Sequence, residues 1–182
     1  IPHDQQPGRV YRELARIGAE FRQASDALRG LEPDADVALL WSNDAKYGLS
    51  GQPALQVDGD GDRSSYERIF GAFYEGAFAA SRSARVLHAA QLDDISGGDP
   101  AALAERFPVL VAAGLYIADD DLLAFLRDYA AAGGHLVLGP RTGYADEEAR
   151  ARLERKPALL ADAAGASYQE FSNLVGPVPV EG

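Results

Sequence analysis

The chain has 182 residues, of which 47% are hydrophobic and 25% charged; this is the composition of an ordinary globular domain and excludes the disordered, collagen-like and coiled-coil classes. With 17 basic and 28 acidic residues the net charge is −11, so the chain repels phosphate backbones and nucleic acid is not expected as a partner. Cysteine is absent, which excludes disulfides, thiolate nucleophiles and cysteine-based zinc sites, and no apolar run approaches the roughly 18 residues of a membrane span.

The first predicted element is a long amphipathic helix. Apolar residues recur at alternating steps of four and three from Val10 to Leu31, which places one apolar stripe along about five turns, and Pro33 is expected to end the helix. The run Val37–Trp41 that follows is apolar throughout. It predicts a short strand covered on both faces, as in a parallel sheet.

Helices and strands alternate along the rest of the chain, after a polar stretch from Gly51 to Ser65 that predicts a surface loop. The first four predicted elements are a helix over 66–78, a strand over 85–88, a helix over 100–107 and a strand centred on 109–111. They are followed by a helix that begins at 119 and is ended by the glycines at 133 and 134, a strand over 135–138, a small helix over 157–164 and a last strand over 166–171. This alternation predicts an α/β fold with a doubly wound, mainly parallel sheet and helices on both faces.

Two groups of residues carry a metal-binding hypothesis. The stretch Asp58–Asp62 alternates Asp and Gly, but an EF-hand loop needs Gly at its sixth position and Glu at its twelfth, where this chain has Arg63 and Ile69. The pattern therefore favours a solvated loop over a calcium site. The histidines lie far apart in sequence, which favours structural roles over metal ligation: His3, His88 and His135.

The ends of two predicted strands carry the candidate binding residues. In doubly wound folds ligands bind beyond the carboxyl ends of the strands, where Trp41, Asn43 and Arg141 lie in this sequence. Trp41 could stack on a sugar face, and Arg141 could bind a carboxylate or a neighbouring backbone. The alternatives are that Trp41 packs beneath a loop and that Arg141 makes an internal salt bridge. The spacing of the acidic residues nominates no carboxylate pair for glycoside hydrolysis.

Five segments resemble, in the same order, segments of the β-galactosidases of glycoside hydrolase family 42. The opening Ile1–His3 with Arg9–Leu14 is similar to the junction after the family's catalytic barrel. The other similar segments lie at 35–42, 110–116, 133–137 and 139–143. The resemblance implies the middle, trimerisation domain of such an enzyme, with a flavodoxin-like or class I glutamine-amidotransferase-like three-layer sandwich.

The resemblance also implies a domain organisation. It implies a linker over 1–9 after the barrel, the trimerisation domain over 10–172, and a linker over 173–182 to a further domain. Because a barrel needs about 250 residues, the two catalytic glutamates of the family are expected upstream, and no catalytic residue, cofactor or metal is expected here. The first residue is Ile1 and not methionine, so we expect a segment of a longer chain.

The implied parent is a cytoplasmic, homotrimeric β-galactosidase whose barrel binds the galactoside. The resemblance places this domain beside a neighbour's sugar site, where Trp41, Asn43 and Arg141 are the candidate contacts. Two alternatives stay open on the sequence: a free-standing sugar-binding or ligand-sensing α/β module, and a small hydrolase built on the same fold.

Overall fold

The computed structural model describes residues 5–173. The chain divides into two compact units, Ile1–Pro33 and Asp34–Gly182. His3, the first four positions of the predicted linker over 1–9, and all but the first residue of the predicted linker over 173–182 lie outside the described residues. The predicted domain boundaries at 10 and 172 stay a prediction.

The first unit is built on one helix, α1, over Arg9–Leu28. The predicted apolar stripe is present, but Val10, Leu14 and Phe21 are each more than 60% exposed and the helix has no buried residue. The prediction that the helix continues toward Pro33 is wrong. It ends at Leu28 because Arg29 already takes an extended backbone, with φ −63° and ψ 125°, and Gly30 follows in a left-handed conformation with a φ of 77°.

The second unit alternates strands and helices. In chain order its elements are β1 Val37–Trp41, α2 Asn43–Gly51, β2 Gln56–Val57, β3 Asp60–Gly61, α3 Ser65–Ala79, β4 Ala84–His88, α4 Leu92–Ser96, α5 Pro100–Arg106, β5 Val109–Ala112, α6 Asp120–Ala131, β6 His135–Leu138 and α7 Ala161–Ala164. Three of these helices are capped at their N-termini by a side-chain oxygen that accepts a hydrogen bond from a backbone N–H group. The capping residues are Ser42 for α2, Asp99 for α5 and Asp119 for α6.

The main sheet has the order β4-β1-β5-β6, and every pairing in it is parallel. Counted among the strands of this sheet, the order is 2-1-3-4, as in flavodoxin-like folds. The predicted doubly wound, parallel α/β fold is therefore confirmed. The register aligns Leu39 with Val86 and Val111, and Val111 with Val137, so these side chains share one face of the sheet.

Helices pack on both faces of the sheet. The helix α3 lies on the face that carries Leu39, where Tyr66 and Phe70 contact Trp41. On the opposite face α5 and α6 pack against each other, and α6 also packs on α7 and the 3₁₀ turn before it. The fully buried side chains at the centre come from both layers and from the strands: Leu39, Leu40, Tyr66, Leu110, Leu123, Leu126 and Tyr129.

Two local predictions differ from the structure. The stretch predicted as a loop contains the β2–β3 hairpin, because Asp58 and Gly59 both take positive φ, 54° and 89°, and form a tight two-residue turn. The stretch 166–171 is not a strand. Its one described pairing is an isolated bridge between Tyr168 and Lys156, and Tyr168 also donates its hydroxyl to the Thr142 carbonyl.

Candidate functional site

The point where the strand order reverses is filled by the protein's own side chains. This point lies beyond the carboxyl ends of β1 and β5, where flavodoxin-like folds bind ligands. Here the Ser42 N–H donates to the Tyr66 hydroxyl at 2.7 Å, and a Cβ at Gly114 would touch Ile69 and Leu49 at 3.6 and 3.7 Å. Burial raises the pKa of Tyr66 to about 12, so its hydroxyl stays neutral. The usual ligand crevice is therefore part of the core.

The candidate residues Trp41 and Asn43 contact each other. The Trp41 indole Nε1–H donates to Asn43 Oδ1 at 2.9 Å, and the half-buried ring meets Tyr66 and Phe70 edge-on, with centroids 4.9 Å away in each case. The Lys46 ammonium lies 5.7 Å from the Trp41 ring centroid. Trp41 thus has aromatic partners beneath it and a polar and a cationic partner at its rim.

The third candidate, Arg141, is a buried cation at the end of β6. It is 6% exposed; its Nη1 donates to the Gln52 carbonyl at 2.9 Å, and its Nη2 donates to Asn173 Oδ1 at 2.7 Å. The guanidinium stacks over Phe171 at 3.6 Å from the ring centroid. Burial lowers the pKa of Arg141, while the nearby hydroxyls of Tyr116 and Tyr168 act in the opposite direction.

The backbone around Arg141 is also unusual. Arg141 takes a φ of 58°, a left-handed conformation that costs a non-glycine residue about 1 kcal/mol or more. The turn is forced close to the neighbouring strand's end, since a Cβ at Gly139 would lie 1.7 Å from the Ala113 carbonyl oxygen. Only glycine fits at position 139, and Arg141 is held in its conformation by its side-chain contacts.

The structure brings two of the three candidates together and keeps the third apart. Trp41 and Asn43 lie at the start of α2, whereas Arg141 bonds to Gln52, which caps the other end of that helix. Nine helical residues separate the two ends by about 13 Å. Phe171 and Asn173, which hold Arg141, were not singled out from the sequence, and no spacing or motif connects them to it.

The candidate metal-binding residues have other partners. The Asp62 carboxylate accepts from the Ser64 N–H at 2.9 Å and pairs with Arg68 at 2.9 Å. The Ser64 bond, with a smaller contribution from Arg68, holds the pKa of Asp62 below its usual value. His88 Nδ1 accepts from the Ala90 N–H. Within residues 5–173, no three histidine or acidic side chains come together as a metal site.

None of the helices in the described part of the chain is both long and apolar enough to cross a membrane.

The chain is similar to β-galactosidases over most of its length. Residues 35–181 match the model of the family described as "Beta-galactosidase trimerisation domain". The beta-galactosidase Bga of Halorubrum lacusprofundi is 30% identical over 172 residues, which are 94% of this chain and 22% of that protein. BgaH of Haloferax lucentense is 31% identical, with the same coverage of 94% and 22%. The chain therefore spans less than a quarter of the length of these curated relatives.

Solved structures give the same result. The chain superposes on the polyextremophilic beta-galactosidase of the haloarchaeon Halorubrum lacusprofundi with a TM-score of 0.59 and 30% identity, over 90% of this chain and 22% of that one. A beta-galactosidase from Bifidobacterium adolescentis has a TM-score of 0.60 at 23% identity, over 77% of this chain and 58% of that one, and supports the fold alone.

Proposed function

Because the chain belongs to the β-galactosidase trimerisation domain family, we propose that it assembles a β-galactosidase into a homotrimer and takes no direct part in bond cleavage. The observation that carries the proposal is the family match over 35–181, which covers almost the whole of the unit Asp34–Gly182. The filled crevice beyond β1 and β5 supports it, because the place where this fold usually binds a small ligand is occupied by Tyr66, Leu49 and Ile69.

We also propose that the galactoside is bound and hydrolysed by a different part of a longer, cytoplasmic parent protein. The relatives named β-galactosidases are four to five times as long as the stretch that this chain matches. A catalytic barrel of about 250 residues would fit in the remainder. Fractionation of cells that express the parent protein tests its location.

The experiment that tests assembly and chemistry together uses the 182-residue chain beside its parent enzyme. Sedimentation equilibrium is expected to give a trimer mass at high protein concentration, and a chromogenic galactoside is expected to be hydrolysed by the parent enzyme but not by the chain. Turnover that copurifies with the chain and disappears when one of its own carboxylates is replaced would contradict the proposal.

The strand-end residues Trp41, Asn43 and Arg141 belong to a finer part of the proposal, namely that this end of the domain lines a neighbouring subunit's sugar pocket. Support comes from Trp41, whose half-buried ring lies at the carboxyl end of β1 beside Lys46. A tryptophan with a rim of polar partners suits a sugar face. Arg141 supports it less, because its guanidinium is already engaged by Gln52, Phe171 and Asn173.

A further inference from the structure

An apolar groove runs along one flank of α3, between that helix and the strands β5 and β6. We call it the α3 groove. Its volume is about 610 Å³. Its floor is formed by valines that share one face of the sheet: Val37, Val109, Val111 and Val137. Its wall is formed by small and aromatic residues of α3: Ala72, Phe73, Gly76 and Ala77.

The α3 groove is a part of the sheet that a partner should cover. Parallel sheets are normally covered on both faces, and runs of valine on both faces of the strands are the mark of that burial. Among the described residues of the second unit, α3 lies over β1 and β4 and leaves Val109 and Val137 only half-buried. The wall of the groove is low, because Ala72 and Gly76 have almost no side chain, so another chain can approach closely.

The opposite flank of α3 carries an aromatic ridge, which we define as Tyr74 and Phe78. These residues lie one helical turn apart and are 44% and 75% exposed. They stand beside the turn that leads into β4, where they line a separate cavity with Ser81 and Arg82. One helix thus presents a concave apolar surface on one side and projecting aromatic rings on the other.

Charge also favours this region as a contact between copies. One copy carries a net charge of −11, so most pairs of surfaces repel each other. The α3 groove has one acidic and one basic residue at its edge, Asp36 and Arg82, and they pair with each other at 3.2 Å. The α3 groove therefore brings no unpaired carboxylate of its own to a contact between copies.

We propose that the aromatic ridge of one copy docks in the α3 groove of the next copy, which closes three copies into a ring; this inference rests on the assembly function proposed above. A cyclic trimer needs two different, complementary patches on each subunit, because each copy contacts one neighbour with each patch. The ridge and the groove are such a pair. A whole aromatic side chain buries roughly 150–250 Å². Because Tyr74 and Phe78 are 44% and 75% exposed, they offer a partner roughly 180–300 Å² between them, as the central contact of an interface that typically buries about 800 Å² per partner.

The test places a charge in the α3 groove without disturbing the fold. Gly76 lines the groove, and a Cβ there meets no described atom within 4 Å, so Gly76→Glu fits and replaces a residue that weakens helices. Gly71 is the matched control, because it is also a glycine of α3 with open space at its Cβ and does not line the groove. On the ridge, Phe78→Ser removes a side chain that is 75% exposed and contributes little to folding.

We expect Gly76→Glu and Phe78→Ser each to weaken self-association of the 182-residue chain at least ~10-fold in sedimentation equilibrium, the loss expected when a central interface contact is removed. Gly71→Glu should associate like the unmodified chain, although it adds the same charge to the same helix. Circular dichroism and thermal unfolding show whether all variants are folded to the same extent.

A mixing experiment separates a head-to-tail contact from a symmetric one. The Gly76→Glu chain keeps its ridge and the Phe78→Ser chain keeps its groove, so an equimolar mixture should form heterodimers although each variant alone stays monomeric. If the unmodified chain forms trimers and Gly76→Glu forms them equally well, the α3 groove is covered by something other than a second copy and the inference is overturned. If the unmodified chain stays monomeric at every concentration and salt, the proposed assembly function fails and the inference fails with it.

Discussion

Replacement of Arg141 is the sharpest test of how the segment around Phe171 and Asn173 is held. The guanidinium makes two hydrogen bonds, to the Gln52 carbonyl and to Asn173 Oδ1, and stacks on Phe171. Hydrogen bonds of a charged group contribute about 1.5–3 kcal/mol each when one partner is removed, and a buried cation–π contact about 2 kcal/mol. The desolvation of a cation that is 6% exposed offsets part of this sum. We therefore expect Arg141→Ala to lower the free energy of unfolding by about 3 kcal/mol.

The φ of 58° at position 141 provides an internal control. Arg141→Gly loses the same side-chain contacts but removes a left-handed strain of about 1 kcal/mol that the alanine variant would keep, so the glycine variant should be the more stable of the two. Arg141→Lys keeps the charge but not the planar fork, and should fall between the unmodified chain and the alanine variant.

Urea unfolding measures these differences in the free energy of unfolding, provided that its dependence on urea concentration has the same slope for every variant. Limited proteolysis followed by mass spectrometry reports on the segment around Phe171. We expect the alanine variant to be cleaved there faster than the unmodified chain. Stabilities of all three variants within about 0.5 kcal/mol of the unmodified chain would show that Arg141 anchors nothing, and an alanine variant as stable as the glycine variant would refute the strain argument.

Three further predictions concern assembly, the strand end and the hairpin. Because three copies would gather −33, three times the −11 of one copy, trimer formation should strengthen with added salt in sedimentation experiments; a tight dimer at every salt concentration would contradict this. Trp41→Ala in the parent enzyme should raise KM with little change in kcat if the ring lines a neighbour's pocket, whereas an unchanged KM with lower thermal stability would identify Trp41 as a packing residue alone. Asp62→Ala should destabilise the chain near pH 7, and the difference should vanish as the pH falls through the lowered pKa of Asp62, because the folded state then loses the benefit of the ionised carboxylate.

The elements that the sequence predicted correctly have local signals. The strand β1 is a short apolar run bounded by polar residues, and α6 begins at three consecutive aspartates and ends at paired glycines. The helix α2 was not predicted because its sequence is polar and contains two glycines. It forms because Ser42 caps it and because Gly48 lets it approach Tyr116, where a Cβ would lie 2.8 Å from the ring.

The parts of the site that could not be predicted depend on contacts between distant residues. The hairpin turn at Asp58-Gly59 does carry a recognisable Asp-Gly signal, which the calcium and loop interpretations obscured. By contrast, the contacts of Arg141 join residues 89 positions away on one side and 32 on the other. A single sequence contains no signal for such pairs, since they are set by how the layers pack.

The filled crevice and the α3 groove differ in what a partner would have to displace. A doubly wound domain can offer a partner the crevice at its strand ends or the outer surfaces of its layers. In this chain Tyr66, Leu49 and Ile69 close the crevice with a hydrogen bond and apolar contacts. Opening it would break the hydrogen bond, at a net cost of about 0.5–1.5 kcal/mol, and would expose apolar side chains to water. The α3 groove needs no such opening, because Val109 and Val137 already face it. A second copy that docks on this face therefore gains apolar contacts without first breaking any contact of the core, whereas a ligand that enters the crevice would have to displace Tyr66, Leu49 and Ile69.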